Sequence, residues 1–221
     1  MKLDGRMLKI IAVISMFIDH VGAVLFPDVI LFRIVGRLAF PIYCFLLVEG
    51  ARYTHNMRQY MLRMGIFALI SELPFDWAFY HRPVYLAHQN VFFTLFIGLV
   101  MIWFLEHPMN DMEIPDIVNK LIIVALAGTA AELLSTDYGF SGIATILIFY
   151  ILRERALLKY LITALICIGM GWIEGFAVLA LIPIALYNGQ RGSQTKVMQY
   201  GFYAFYPAHL LLLAFLYQIV K

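Results

Sequence analysis

Several ionisable side chains stand inside long apolar runs, where a lone charge is out of place. Asp19 and His20 lie past the middle of the first run. Arg33 and Arg37 are four residues apart in the second, on one helical face, and Glu49 closes that run. Glu72 and Asp76 flank Pro74 in the third, Glu132 ends a later run, and His209 is near the middle of the last. Each uncompensated charge costs about 2.5–3.5 kcal/mol to insert into a bilayer. Four would cost roughly 10–14 kcal/mol, comparable with the net stability of a whole domain, about 5–15 kcal/mol. These groups therefore pair, neutralise or line water. The simplest neutralisation sets Asp19 against Arg33 or Arg37. Buried Asp, His, Arg and Glu are also the parts of a proton relay or an acid–base site, and imidazole, with an unperturbed pKa of about 6.5, is the natural proton carrier. Ion pairs that serve assembly alone are the plainer reading, strongest for Glu72, Asp76 and Glu132.

Membrane helices must position these groups. The 221 residues are 63% hydrophobic and 14% charged, with a mean hydropathy of +0.85. An ordinary soluble domain is about 45–50% apolar and about 25% charged. A core of this size cannot hide so much apolar surface, so lipid must cover the rest. A net charge of +2 gives no basic face for nucleic acid. Cys44 and Cys167 sit in apolar runs and form neither a disulfide framework nor a metal knuckle. A span needs about 20 apolar residues, about 17 at the short end. Nine candidates emerge: 7–26, 31–49, 60–80, 91–105, 117–134, 139–152, 157–171, 172–187 and 200–220. The expected fold is all-α, a single domain over residues 1–221 forming a polytopic helical bundle of about nine spans. The count is open by one, because 157–187 must supply two spans of only ~23 Å each. Such helices cross thinned bilayer, or one is re-entrant. The first run carries Asp19 and His20 and lacks a small-x-small cleavage site, so it reads as a retained span.

The cations set the orientation. With the N-terminus in the cytoplasm, the inner loops collect Lys2, Arg6, Lys9, Arg52, Arg58, Arg63, Lys120, Arg153, Arg155, Lys159, Arg191 and Lys196. The outer side keeps Arg33, Arg37, Arg82 and Lys221, so the positive-inside rule is obeyed. The expected location is the inner (cytoplasmic) membrane, and the polar stretch 106–116 reads as a cytoplasmic loop. Pro41 frees the carbonyl four residues back, at Arg37, and Pro207 frees that of Tyr203, just before His209. Familiar motifs are absent. Gly139-Phe140-Ser141-Gly142 fails the nucleophile elbow by one position, Gly169-x-Gly171-x-x-x-Gly175 misses the dinucleotide fingerprint, and there is no Walker lysine or zinc-protease motif. No metal is expected.

Asp19-His20-Val21-Gly22, Arg33-x-x-Gly36-Arg37-x-Ala39-Phe40-Pro41-Ile42 and Val48-Glu49-Gly50 resemble the TraX family of membrane proteins. So do Tyr60-x-x-Arg63, the run from Ala68 through Glu72 and Pro74 to Asp76, and Asn90-Val91-Phe92-Phe93-Thr94-Leu95. Asp137-Tyr138-Gly139, Tyr187-Asn188-Gly189 with Arg191-Gly192, and Phe205-Tyr206-Pro207-x-His209-Leu210 continue the match in order. The resemblance is dense over the first hundred residues and thin over 106–175. It implies a conjugative-pilin N-acetylating type of protein, related to the multi-spanning membrane acyltransferases. Such enzymes move an acyl group from a cytosolic acyl-CoA to an acceptor at or beyond the membrane. The implied activity is acetyl transfer from acetyl-CoA to an amine or hydroxyl, on a pilin-like peptide N-terminus or an envelope glycan. Acetyl-CoA, membrane lipid and that acceptor are the expected partners.

On this resemblance His20 occupies the place of the catalytic histidine, with Asp19 and His209 as further candidates. Asp19 is about 100° around the helix from His20, so it suits the arginines better than it suits an orienting role. Asp76, Glu132 or Asp137 is the expected orienter of His20. Arg37 is a candidate for binding the acetyl-CoA donor and could also stabilise developing negative charge. The phosphates of CoA need cationic or amide donors on the inner side. Arg52, Arg58 and Arg63 form one candidate cluster there, and the 187–192 turn, with Asn188 and Arg191, offers an amide nest. Arg33, Glu49, Glu72, Asp76, Asn90 and Tyr138 are expected to line or support the site. Without the resemblance, three classes stand level: an acyltransferase, an ion-coupled transporter with an Asp/His/Arg relay, and a non-enzymatic membrane scaffold. The transporter lacks the matching broken-helix repeats common in that class.

Overall fold

The computed structural model describes residues 2–107, 115–193 and 195–220. Among them the chain is helical without strands, and its extended pairings are two isolated bridges, Leu3 with Tyr187 and Gln89 with Thr136. Helix α1 is Gly5–Leu25, α2 Ile30–Gly36, α3 Ala39–Tyr53, α4 Met57–Tyr80 and α5 Val91–Glu106. Then come α6 Asp116–Leu133, α7 Gly139–Ile151 and α8 Ala156–Gly169. A 3-10 segment, Glu174–Ala180, runs into α9, Leu181–Ala185, and α10 is Lys196–Val220. Short polar side chains start three of these helices by accepting an orphan backbone N–H. Asp4 accepts from Met7 at 2.8 Å, Asn56 from Gln59 at 2.9 Å and Asn90 from Phe92 at 3.0 Å.

Each of the nine apolar runs is a helical arm, but the arms are unequal. Gly5–Leu25, Ile30–Tyr53 and Lys196–Val220 are long and apolar enough to cross a membrane. Among the described residues, Val91–Glu106, Gly139–Ile151, Ala156–Gly169 and Glu174–Ala185 are shorter apolar helices. The second run is broken at Arg37 and Leu38, with Pro41 in the first turn of α3. There the ring costs little, because first-turn N–H groups have no helical partner. Arg37 is thus the cap between two half-helices. Residues 108–114, the middle of the expected 106–116 loop, and Lys221 lie outside the described residues.

Helices α3, α5 and α7 pack together in the middle, with Ile42, Leu99, Ile102, Ile146 and Phe149 essentially inaccessible. Gly98 lets α5 and α7 approach so closely that a Cβ there would collide with the Ile146 side chain. Helices α1, α4 and α10 pack against one another and close one side of the site. The outer faces are apolar and exposed: Leu157, Leu161, Leu165 and Ile168 form a stripe at helical spacing along α8. That stripe is the surface the composition assigns to lipid.

Candidate functional site

Asp19 is buried on α1 and bound from both sides. Arg33 Nη1 donates to its Oδ2 at 2.7 Å, and Arg37 Nη2 to its Oδ1 at 2.7 Å. The 30–37 segment can lie this close because residue 36 is glycine; a Cβ at Gly36 would occupy the space of the Asp19 carboxyl. Arg37 also reaches Glu174 at 3.5 Å, so two arginines face two carboxylates. A buried charge left alone would be strongly unfavourable, and this cluster leaves none alone. The expected pairing of Asp19 therefore holds, with both arginines rather than one.

His20, next on α1, meets His209 of α10. His20 Nδ1 and His209 Nε2 are 2.7 Å apart, and the rings stack at 5.0 Å between centroids. The proton positions follow from the far end of the pair. His209 Nδ1 lies 2.7 Å from the Phe205 carbonyl, which only accepts, so Nδ1 carries the hydrogen. Neutral His209 then has a bare Nε2, which accepts from His20 Nδ1–H. This leaves the His20 Nε2 lone pair uncommitted, and it makes no hydrogen bond among the described residues. Phe79 and Tyr206 pack edge-on against the His20 ring and fix its plane. The result is an oriented neutral base.

A cavity of about 200 Å³ brings these groups together. Asp19, His20, Arg33, Arg37, His88 and Asp137 supply its polar wall, with Phe40 and Tyr138 among the rings. Tyr138 lies flat on Phe40 at 3.4 Å. At its edge His88 Nε2 meets Asp137 Oδ1 at 3.2 Å. That hydrogen bond, helped by the Asp137, Glu72 and Asp76 charges against partial burial, raises the His88 pKa above its ordinary value. A second cavity, of about 160 Å³, lies toward the cation-rich end and includes Lys9, Glu49, Arg63 and Arg191. Met16, Tyr43, Val91 and Tyr206 line both, so the chambers meet end to end at this neck.

Several expectations change. Asp76, Glu132 and Asp137 do not orient His20: Asp76 accepts Tyr85 N–H at 2.6 Å, Glu132 accepts Phe140 N–H at 2.6 Å, and Asp137 holds His88. His209 does so instead. Arg52, Arg58 and Arg63 do not form one cluster. Arg63 faces the inner chamber, whereas Arg52 and Arg58 line a separate bowl with Arg153. The 187–192 turn is not an open amide nest. Asn188 N–H donates to Leu3, Gln190 N–H donates to the Asn188 side chain, and Gln190 accepts from Gly5. It anchors the N-terminus and places Tyr187 and Arg191 in the chamber lining. Asn90 is a bolt between α4 and α5, donating to Ala68 O at 2.9 Å and to Glu72 at 2.5 Å. Neither Asn90 nor Glu72 lines the chambers. Arg37 stands in the outer chamber, remote from the inner cations. Glu49 lines the inner chamber and pairs with Arg153 at 3.5 Å.

Sequence reasoning missed Lys9, Glu174 and the neck. A signal for Lys9 was present: Gly5, Lys9, Met16 and His20 follow one another at spacings of 4, 7 and 4, a single face of α1. Glu174 carried none, because its partner is 137 residues away.

The family model described as TraX protein matches residues 4–217. A relative from Dichelobacter nodosus, named "Probable fimbrial assembly protein FimC, serogroup H1", is 28% identical over 93% of this chain and 92% of its own length. An uncharacterised protein of Rickettsia prowazekii (strain Madrid E) is 24% identical over 82% of the chain and 68% of its own length. No solved structure matches the chain.

Proposed function

This chain belongs to the TraX family, and we propose that it is a multi-pass acetyltransferase of the inner membrane. It takes acetyl-CoA from the cytoplasm and passes the acetyl group to an acceptor amine or hydroxyl at the outer side. The observation that carries this reading is the His20–His209 pair beside the neck where two chambers meet. The similarity to a fimbrial assembly protein favours the N-terminal amine of a fibre subunit over an envelope glycan.

The chemistry follows from the geometry. The inner chamber lies on the side that positive-inside charge assigns to the cytoplasm, and Lys9, Arg63 and Arg191 face the donor's pyrophosphate there. On α1, Lys9 is eleven residues below His20, about 16 Å at the helical rise. The phosphates therefore stay below while an extended pantetheine arm carries the thioester to the neck. The acceptor enters the outer chamber, and its nitrogen or oxygen attacks the thioester carbonyl as His20 Nε2 takes its proton. The tetrahedral oxyanion lies near Arg33, whose guanidinium is partly exposed on that wall. Collapse breaks the C–S bond, and His20 returns the proton to the departing thiolate, giving the acetylated acceptor and free CoA. His209 holds the His20 tautomer throughout.

The test is transfer of labelled acetyl from acetyl-CoA to a fibre-subunit peptide by the purified protein in nanodiscs. Wild type transfers label, and His20→Ala loses at least about 10²-fold in rate while its unfolding transition stays in place. Undiminished transfer by His20→Ala, or no transfer by wild type, ends this assignment. The ion-coupled transporter fits less well, because both oxygens of the buried Asp19 carboxylate are committed to arginine.

A further inference from the structure

The bowl at the cation-rich end is the largest of the three cavities, about 550 Å³, within the range of small-molecule sites. It is built from the end of α3, the start of α4 and the ends of α5 and α7. Arg52, Arg58 and Arg153 supply its charge against one carboxylate in its lining, Glu106. Trp103 and Tyr150 give it ring faces. Two of the arginines have an ordinary explanation, since Arg52 ends α3 and Arg153 follows α7, where cations complement the helix dipole. Arg58 stands in the first turn of α4, where the dipole does not favour a cation, and like Arg52 it makes no ion pair among the described residues. Two arginines without carboxylate partners, beside aromatic side chains in one concave lining, suit a phosphorylated ring compound.

The bowl adjoins the inner chamber, with Thr54 in the lining of both. It sits over α3, α5 and α7, which pack against each other in the interior, rather than on the lipid-facing stripe of α8. That location favours a soluble nucleotide over a lipid headgroup. We propose that this bowl binds the nucleoside-phosphate end of the donor, with the adenine against Trp103 and Tyr150 and the ribose phosphate on Arg52 and Arg58. This rests on the acetyltransferase reading and extends it, since it divides the donor among three adjoining compartments.

The experiment is calorimetric binding to wild type and to the Arg52→Gln/Arg58→Gln double variant in neutral-lipid nanodiscs. The probes are acetyl-CoA, acetyl-pantetheine and adenosine 3′,5′-bisphosphate. The expected result is a rise of at least tenfold in the acetyl-CoA dissociation constant of the variant. Acetyl-pantetheine, which lacks the nucleotide, binds both proteins equally, and the bisphosphate displaces acetyl-CoA from wild type. Unchanged acetyl-CoA affinity in the variant, or no competition by the bisphosphate, overturns the proposal. So does a variant that differs from wild type only in the thermal stabilisation gained from phosphatidylglycerol, which makes the bowl a lipid site. If wild type binds neither acetyl-CoA nor acetyl-pantetheine, the donor reading itself fails and takes the bowl with it.

Discussion

The two chambers share a neck and treat their charges in opposite ways. In the outer one the charges are met: Asp19 by Arg33 and Arg37, Arg37 by Glu174, and His88 by Asp137. In the inner one, Arg63 and Arg191 make no ion pair among the described residues. A neutralised cluster is rigid and leaves a neutral imidazole free to accept protons. An unneutralised one is a standing invitation to an anion. On the proposed reading, the difference separates the chamber suited to proton transfer from the one suited to an anionic ligand.

That contrast makes graded predictions. Asp19→Ala leaves the buried Arg37 guanidinium with only the longer contact to Glu174 and the part-buried Arg33 without its carboxylate, and the unfolding free energy should fall by about 3 kcal/mol. Arg191→Gln should stay within about 0.5 kcal/mol of wild type in the same unfolding titration and raise the KM for acetyl-CoA with kcat unchanged. Equal stability losses at the two sites would erase the distinction between the chambers. His209→Leu should lower kcat about 10²-fold, because it misplaces a base without removing it. His209→Gln, whose amide oxygen can accept from His20 Nδ1–H, should recover part of that loss. Gly36→Ala forces a Cβ into Asp19 and should cost about 1–3 kcal/mol, read by the same titration.

The smallest effect concerns pH. Asp137 raises the His88 pKa, so the folded protein binds that proton more tightly than the unfolded chain does. The resulting stabilisation is complete below about pH 6.5 and disappears as pH climbs through the raised folded value. Both side chains are about a third exposed, so it amounts to less than about 1 kcal/mol. His88→Gln should flatten the stability-against-pH curve in this window, and an unaltered curve would show that the pair contributes nothing.

Much of this was legible in the amino-acid order, for definite reasons. The apolar runs became helical arms because insertion depends on local hydrophobicity, which is local information. Asp19 predicted its arginines because a buried carboxylate demands a cation and Arg33 and Arg37 are close in the chain. Distance in the chain hid the rest. His20 and His209 are 189 residues apart, and only the packing of α1 on α10 brings them together. The basic residues near 52–63 look like one patch in the sequence. Five residues of α4, about 140° of helical rotation, separate Arg58 from Arg63 and send Arg63 to the inner chamber and Arg58 to the bowl. The 187–192 turn looks like a free loop because nothing local reveals that Leu3 and Gly5 claim its backbone.

The neck has a bearing on cell energetics. A bilayer that stores work as an ion gradient holds about 2.3 kcal/mol per elementary charge at 100 mV. Two wet half-channels joined end to end would discharge it. Among the described residues, Met16, Tyr43, Val91 and Tyr206 present a thioether, an aliphatic branch and two phenol rings at the level the two halves share. On the proposed reaction, a slim organic chain threaded through keeps that septum plugged during transfer. Without one, the thioether and the aliphatic branch give hydrated ions little to hold. A membrane hosting the proposed transfer would therefore keep its voltage.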